Sequence, residues 1–418
     1  MTPPPTSPSG SGPRSPRTPR RLPRPSELRP LLRVARPELD STRRRLARAH
    51  TVADLREIAR RRTPRAVFDY TDGAAEGELS LRRARDTFAS LEFRPSVLRD
   101  VSQIDTSTTL LGGPSTYPFA FAPTGFTRMM HHEGEVAVAR VAGRLGVPHT
   151  LSTMGTTSPA DLAAAAPDTR RWFQLYLWRD RAASEEVVRR AADAGNEAIM
   201  LTVDTPVGGA RLRDAYNGLT IPPALTARTL VDMARHPHWW LNVLTTDPLE
   251  FAALTSWEGT VAELIDTMFD PALNLDDLAW LRSTWNGPLV VKGVQTVEDA
   301  RRVVDAGADA VVVSNHGGRQ LDRAPVPLET LPSVVAEVGG EAEVLLDTGI
   351  MSGADIVAAV ALGASGCLVG RAYLYALMAG GERGVEHLAT ILTAEIRRTM
   401  ALLGVSSVKD LTPDHVRL

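Results

Sequence analysis

An α/β fold, and within it a closed (β/α)8 barrel of the TIM type, is predicted by three observations. Eight short apolar runs recur from residue 117 onward: YPFAFAP, VPHTLS, RWFQLYL, EAIMLTV, PLVVKG, DAVVVSN, EVLLD and GCLVG. Seven of the gaps between them carry a stretch with helical apolar spacing, such as GEVAVARVAGRLG or VEDARRVVDAG, and AYLYALMAG follows the last run. Each run carries polar residues or glycine at or just after its carboxyl end, although strands covered on both faces favour apolar residues throughout. Eight strand–helix units imply parallel strands with helices outside, and eight is the number that closes the barrel. An open doubly wound sheet is the competing arrangement, weakened by the missing Gly-rich fingerprint after the first strand.

In chain order, residues 1–45 stand apart. Pro, Ser and Arg dominate, and the first 50 residues hold 12 Arg and no Lys against 3 acidic residues. Such a segment buries too little apolar surface to offset its ordering entropy, so a disordered, solvated tail is expected rather than a nucleic-acid-binding arm. From Thr51, TVADLREIARRRTPRAVFDY places apolar residues at helical spacing behind a Thr cap and an acidic first turn. This predicts an N-terminal helical extension opening a folded domain over residues 46–418. The long interval 218–274, after the fourth strand, contains RTLVDMARHPHWWLNVL and FAALTSW. A structureless loop of that length is out of place in a compact domain, so an insertion of helices lying over the barrel mouth or against a neighbouring subunit is expected. Asp276 and Asp277 are read as the cap of the helix that follows.

Composition narrows the function classes. A chain of 418 residues, 43% hydrophobic, can bury a large core, and its formal charge of −2 gives no overall field for nucleic acid. The single cysteine, Cys367, lies in an apolar run and reads as core packing, which excludes an intrachain disulfide and fits a reducing cytosol. No apolar run approaches the roughly 20 residues that span a bilayer, and the N-terminus lacks the apolar centre of a signal peptide. A cytoplasmic protein, soluble or peripheral, is expected. His131 and His132 are read as surface residues and not metal ligands, because adjacent side chains diverge and no third ligand sits at usable spacing.

Barrel closure brings the carboxyl ends of the strands to one mouth. There the sequence places Pro123, Thr124 and Gly125, then Ser152, Gln174 and Tyr176, Thr202 and Asp204, Lys292, Ser314 and His316, Asp347 and Gly349, and finally Gly370 and Arg371. Within SNHGGRQLD, His316 is a candidate base and Arg319 a cation three residues on, with Gly317 and Gly318 freeing the backbone between them. Asp204 is suited to hold the ring N–H of His316, and Arg211 to join Arg319 on a carboxylate. Gly349, Gly370 and Arg371 occupy the loops where barrels bind phosphate. Gln174, Thr202, Ser152 and the backbone near Thr124 offer donors and acceptors for a flat heteroaromatic ring, and Lys292 offers it a positive charge. A flavin fits this set better than a nicotinamide.

Together these motifs resemble the FMN-dependent L-2-hydroxy acid oxidase and dehydrogenase family. Within it the chain looks most similar to bacterial, especially actinobacterial, quinone-linked L-lactate dehydrogenases. FDYTDGA, APTGFTRM, TLST, WFQLY, LTVDTP, VVKGV, SNHGGRQLD, DTGI and LVGRA carry the resemblance, which runs from about Thr51 to the C-terminus. It implies an FMN enzyme, a homotetramer or larger, that oxidises L-lactate to pyruvate. Electrons would pass to a quinone or another acceptor than oxygen, with peripheral contact at the inner face of the plasma membrane.

By resemblance, His316 is the base and Asp204 its partner, Arg211 and Arg319 bind the carboxylate, and Tyr70 and Tyr176 assist at the substrate with Gly125 beside it. Pro123, Thr124, Gly125, Ser152, Gln174, Thr202, Lys292 and Ser314 line the flavin ring and ribityl chain, and Asp347, Gly349, Gly370 and Arg371 serve its phosphate end. An oxygen-using oxidase and a mandelate-type dehydrogenase are the alternatives within the family, and an FMN-dependent non-redox isomerase is the alternative outside its chemistry. Two positions depart from the common pattern. Many members carry DGGVRRG where this chain has DTGIMSG, so Thr348 replaces a glycine and Met351 an arginine, which bears on FMN affinity. Gly125 stands where oxidases commonly have Ala, which leans away from oxygen as acceptor.

Overall fold

The computed structural model describes residues 21–29, 38–218, 227–247, 249 and 270–418. It divides after Arg44 into an N-terminal segment, in which Pro25–Leu28 forms one helical turn, and a compact unit from Arg45 to Leu418. The tail expected to be disordered falls largely outside the described residues.

The compact unit opens with three helices, α1 (Val52–Arg62), α2 (Arg65–Asp72) and α3 (Leu79–Ser90). Thr51 starts the first as read: its hydroxyl accepts the Asp54 N–H at 3.2 Å, and the Asp54 carboxylate accepts the Thr51 N–H at 3.0 Å, a reciprocal cap.

Eight parallel strands then close the predicted barrel. They are β1 (Phe119–Phe121), β2 (His149–Ser152), β3 (Arg171–Leu175), β4 (Ala198–Thr202), β5 (Leu289–Val294), β6 (Ala310–Val313), β7 (Glu343–Leu346) and β8 (Gly366–Val369). Neighbours in sequence are neighbours in the barrel, and β8 pairs with β1 through Leu368 and Ala120. Between and after them run α4 (Gly134–Leu145), α5 (Pro159–Ala165), α6 (Arg181–Asp193), α7 (Leu212–Asn217), α8 (Leu275–Thr284), α9 (Val297–Asp305), α10 (Pro327–Val338), α11 (Gly353–Ala361), α12 (Arg371–Gly380) and the closing helix α13 (Glu382–Leu403).

Strand side chains alternate between two cores. One packs outward against the helices; the other fills the barrel with Trp172, Met200, Val290, Val312, Leu345 and Leu368. Leu110 and Leu111, from a short hairpin ahead of β1, join the inner core, and the Leu111 N–H is held by Glu343 at the start of β7. That hairpin covers the amino-terminal end, so the polar strand ends form the mouth.

Two short helices of the insertion are described, Ala227–Ala234 and Pro237–Leu244. Trp239 donates its indole N–H to Met129 O at 2.8 Å, and Asp232 accepts the Arg65 N–H at 2.7 Å, so this part packs beside the first barrel loop and α2. Residues 219–226, 248 and 250–269 lie outside the described residues. At α8 the cap is Asn274 rather than the acidic pair: its side chain accepts the Asp276 N–H at 2.7 Å while Asp277 returns to the Asn274 N–H at 2.9 Å. Asn274 precedes the first helical residue while the acidic pair falls inside the first turn, where Asp277 completes the cap and also meets Arg181.

Helix α12 is buried along most of its length and packs on α1 and α13. Gly384 makes the α12–α13 approach possible, since a Cβ there would collide with the Ala376 carbonyl. Gly384→Ala is therefore expected to destabilise the fold by about 1–3 kcal/mol, the usual cost of overpacking, seen as a lower thermal unfolding midpoint; an unchanged midpoint would contradict this packing.

Candidate active site

Beneath the mouth lies a buried ion pair. Lys292, on β5, places Nζ 2.7 Å from Asp347, which follows β7. Ser314, at the end of β6 between them, joins the pair: its hydroxyl accepts from Lys292 Nζ at 3.1 Å and donates to Asp347 at 3.0 Å. Burial alone would lower the ammonium and raise the carboxyl, but their attraction prevails, holding Lys292 above and Asp347 below its ordinary range. The same Ser314 oxygen accepts the His316 N–H at 3.0 Å, which ties the charge pair to the candidate base.

His316 adopts a left-handed backbone, φ 59°, followed by Gly317 and Gly318, also at positive φ. For a non-glycine residue this is strained. Ser314 holds it from one side; Asn315, which accepts the Gly318 N–H, and Thr348, which accepts the Gly317 N–H, hold it from the other. The ring's Nδ1 is 2.9 Å from Asp204 Oδ1, so a proton on Nδ1 is donated to the carboxylate and Nε2 is left to the cavity. Asp204 fits there because Gly293, at φ 106° in an irregular stretch of β5, has no side chain: a Cβ would lie 2.7 Å from the Asp204 side chain.

Across the cavity two guanidiniums face the ring of Tyr70, Arg319 at 4.9 Å and Arg211 at 5.3 Å from its centroid. Arg319 donates to the Tyr70 and Gly73 carbonyls. Burial, and then Arg211, lower it to about 10, so it stays charged at neutral pH. Two cations held this close favour an anion between them. The Tyr176 phenol is pushed up by burial and then by Asp204, and so keeps its proton.

The remaining wall is polar, and two of its atoms lack protein partners among the described residues. Ser152 donates to Gln174 Oε1 at 2.8 Å. Gln174 Nε2 and Thr202 Oγ1 are buried with no hydrogen-bond partner among the described residues. Unpaired buried polar atoms are costly, and a flat ring edged with nitrogens and carbonyl oxygens would satisfy them while Lys292 lies close by. The residues present therefore fit a flavin ring.

One cavity is lined by fifteen of the predicted residues: Tyr70, Pro123, Thr124, Gly125, Ser152, Gln174, Tyr176, Thr202, Arg211, Lys292, His316, Arg319, Asp347, Gly370 and Arg371. Asp204 and Ser314 stand behind it, acting through His316 and Lys292. Gly349 does not line it. The turn at φ 87° sets its Cα against Phe88 and gives its carbonyl to Arg85. At the predicted phosphate end, Arg371 donates to the carbonyls of Thr71 at 2.9 Å and Gly73 at 2.8 Å. Met154, Thr205, Gln320 and Leu374 also line the cavity and were missed. Gln320 stood inside SNHGGRQLD, where its type alone said nothing of its partners.

His131 and His132 are not surface residues. They lie half-buried with ring centroids 4.5 Å apart, in a small cavity with His238 and Trp239 of the insertion, and burial, then His132 and Arg62, lower His131 to about 3. Glu133 supplies the third ligand type that the spacing had not indicated, 3.7 Å from His131. It is engaged by the Glu382 N–H, and the nearby Arg45 and Arg62 disfavour a cation.

A barrel mouth that joins a His–Asp couple, two arginines facing an aromatic ring, and a wall fitted to a flavin defines a flavin-dependent oxidoreductase. The chain belongs to the FMN-dependent dehydrogenase family, whose model matches residues 59–418. A Mycobacterium tuberculosis protein with a provisional L-lactate dehydrogenase name is 58% identical over 95% of this chain and 96% of its own length. An L-lactate dehydrogenase of Caulobacter vibrioides is 45% identical over 86% of this chain and 96% of its own. Among solved structures, the monotopic membrane protein (S)-mandelate dehydrogenase superimposes with a TM-score of 0.85 at 38% identity, covering 88% of this chain and 99% of that one.

Replacing Lys292 with Met leaves Asp347 buried without its counter-charge. The expected loss is about 3–5 kcal/mol, read as a lowered unfolding midpoint, and Lys292→Met with Asp347→Asn together should cost less than the single change. Additive losses would show that the two charges do not depend on each other.

Proposed function

We propose that this chain oxidises a small L-2-hydroxy acid, L-lactate to pyruvate, and hands the electrons to a quinone or another acceptor than oxygen. The observation that carries the reading is the His316–Asp204 couple placed on the same cavity as the Arg211–Arg319 pair. The arginines grip the substrate carboxylate. The hydroxyls of Tyr176 and Tyr70 hold the C2 oxygen, and His316 Nε2 takes a proton from the substrate while Asp204 stabilises the imidazolium that results. Removal of the C2 proton and removal of the hydroxyl proton with hydride transfer both use this one base.

Bound FMN supplies the two-electron acceptor. Gln174, Thr202, Ser152 and Thr124 would hold its ring, Lys292 would offset negative charge gathered there, and Gly370 with Arg371 would meet its phosphate. Relatives named for L-lactate at 45% and 58% identity favour lactate over mandelate, which names neighbours at 38%. Two guanidiniums in place of a carboxylate cluster argue against a non-redox isomerase.

His316→Gln is expected to retain FMN and lose about 10²–10⁴-fold in the rate at which anaerobic L-lactate bleaches the flavin band, the span attributable to a general base. A variant that bleaches at the wild-type rate overturns the assignment. Comparing L-lactate, glycolate and (S)-mandelate on the wild-type protein tests the substrate class.

A homotetramer or larger assembly, and a tail over residues 1–45 ahead of the catalytic domain, belong to the same reading. Peripheral attachment to the inner face of the plasma membrane is supported by exposed apolar side chains near the mouth, Val207 at 65%, Tyr216 at 76% and Leu321 at 65%. Among the described residues no helix is long and apolar enough to cross a membrane. The intact protein should sediment with anionic lipid vesicles, and Val207→Ser with Leu321→Ser should weaken this; no sedimentation by the intact protein contradicts the membrane face.

A further inference from the structure

Arg211 is carried by a weak element. It is the cap of α7, which has six residues and buries none of them, so neither helical propensity nor apolar packing fixes it. Polar contacts do so instead. We propose that Arg213 is a positioning residue, a latch that holds Arg211 over the substrate site; this rests on the reading of Arg211 as a carboxylate ligand.

Arg213 reaches away from the cavity into a group of three carboxylates. It donates to Asp72 at 2.9 Å and to Glu78 at 2.6 Å, and lies 3.5 Å from Asp69. Asn217, one turn on, donates to Asp69 at 2.7 Å. Asp72 is a firm anchor: it is 4% exposed and also receives Arg56 and the Tyr375 hydroxyl.

Two of the three anchors and the ring under Arg211 come from the same helix, since α2 carries Asp69, Asp72 and Tyr70, while Glu78 caps α3. Both arginines therefore meet α2, Arg213 through the carboxylates of Asp69 and Asp72 and Arg211 through the Tyr70 ring, so the grip of Arg213 sets where Arg211 lies on that ring. The strand-four loop before it is pinned separately. Gln320 donates to the carbonyls of Asp204 at 3.2 Å and Val207 at 2.9 Å and accepts the Gly209 N–H at 3.2 Å, and the Ala210 carbonyl accepts the Glu76 N–H at 2.8 Å. Arg213 and Asn217 are thus what fixes the side of α7 beyond Arg211.

Arg213→Met removes the latch and leaves its anchors satisfied: Asp72 keeps Arg56 and Tyr375, and Glu78 keeps the Ala74 N–H. The expected result is a KM for L-lactate raised about tenfold with kcat within about twofold, the signature of lost ground-state binding. FMN affinity, followed by flavin fluorescence, should be unchanged, and Arg213→Lys should recover part of the KM. Glu78→Gln, which keeps the fold's other contacts, should shift KM in the same direction. An unchanged KM overturns the proposal, as do losses of kcat and FMN affinity that run in step with KM. If no L-2-hydroxy acid reduces the wild-type flavin, the functional reading fails by itself. The latch is then tested with oxalate, whose affinity should fall in Arg213→Met; an equal affinity sinks it.

Discussion

The site depends on one buried ion pair. Lys292 stands on β5 and Asp347 follows β7, and the pairing of both strands with β6 brings their side chains to 2.7 Å. Two charges this deep are tolerated because each offsets the desolvation of the other and Ser314 accepts a hydrogen bond from Lys292 and donates one to Asp347. Through the Ser314 oxygen the pair also fixes the His316 backbone, so the cation beside the proposed flavin ring and the proposed base share one support. A disturbance at Lys292 would be felt at both.

Around that support the mouth is cationic where anions must go. Arg211 and Arg319 crowd one ring, and Arg371 reaches into the same cavity. Burial, and then repulsion from Arg211, lower Arg319, and a carboxylate between the two guanidiniums would relieve that repulsion. Asp204 stands behind His316, where its carboxylate holds the ring. The strained φ of His316 accompanies the contact of its ring with Asp204.

The barrel was legible because strands covered on both faces read as apolar runs, and the polar ring because its residues are the wrong type for such strands. Fifteen residues read from strand ends and from the family motifs line one cavity. What escaped was set by closure or by local geometry. Gly349 sits at the right place in the chain, yet its turn faces it toward Phe88 and Arg85. His131 and His132 looked like surface residues because Trp239 and His238, which lie beside them, are more than a hundred positions away. Asp72 was one letter of FDYTDGA, and nothing in that motif shows that it joins Arg56, Tyr375 and Arg213.

The central claim is that this mouth breaks the C2–H bond of an L-2-hydroxy acid. Single-turnover bleaching of the flavin under anaerobic conditions, with L-lactate carrying either hydrogen or deuterium at C2 and with D-lactate as control, tests it most directly. The account predicts rapid bleaching by the L enantiomer, slowed several-fold by deuterium, and none by the D enantiomer. Bleaching at equal rates by both enantiomers, or no bleaching by any L-2-hydroxy acid, would contradict it.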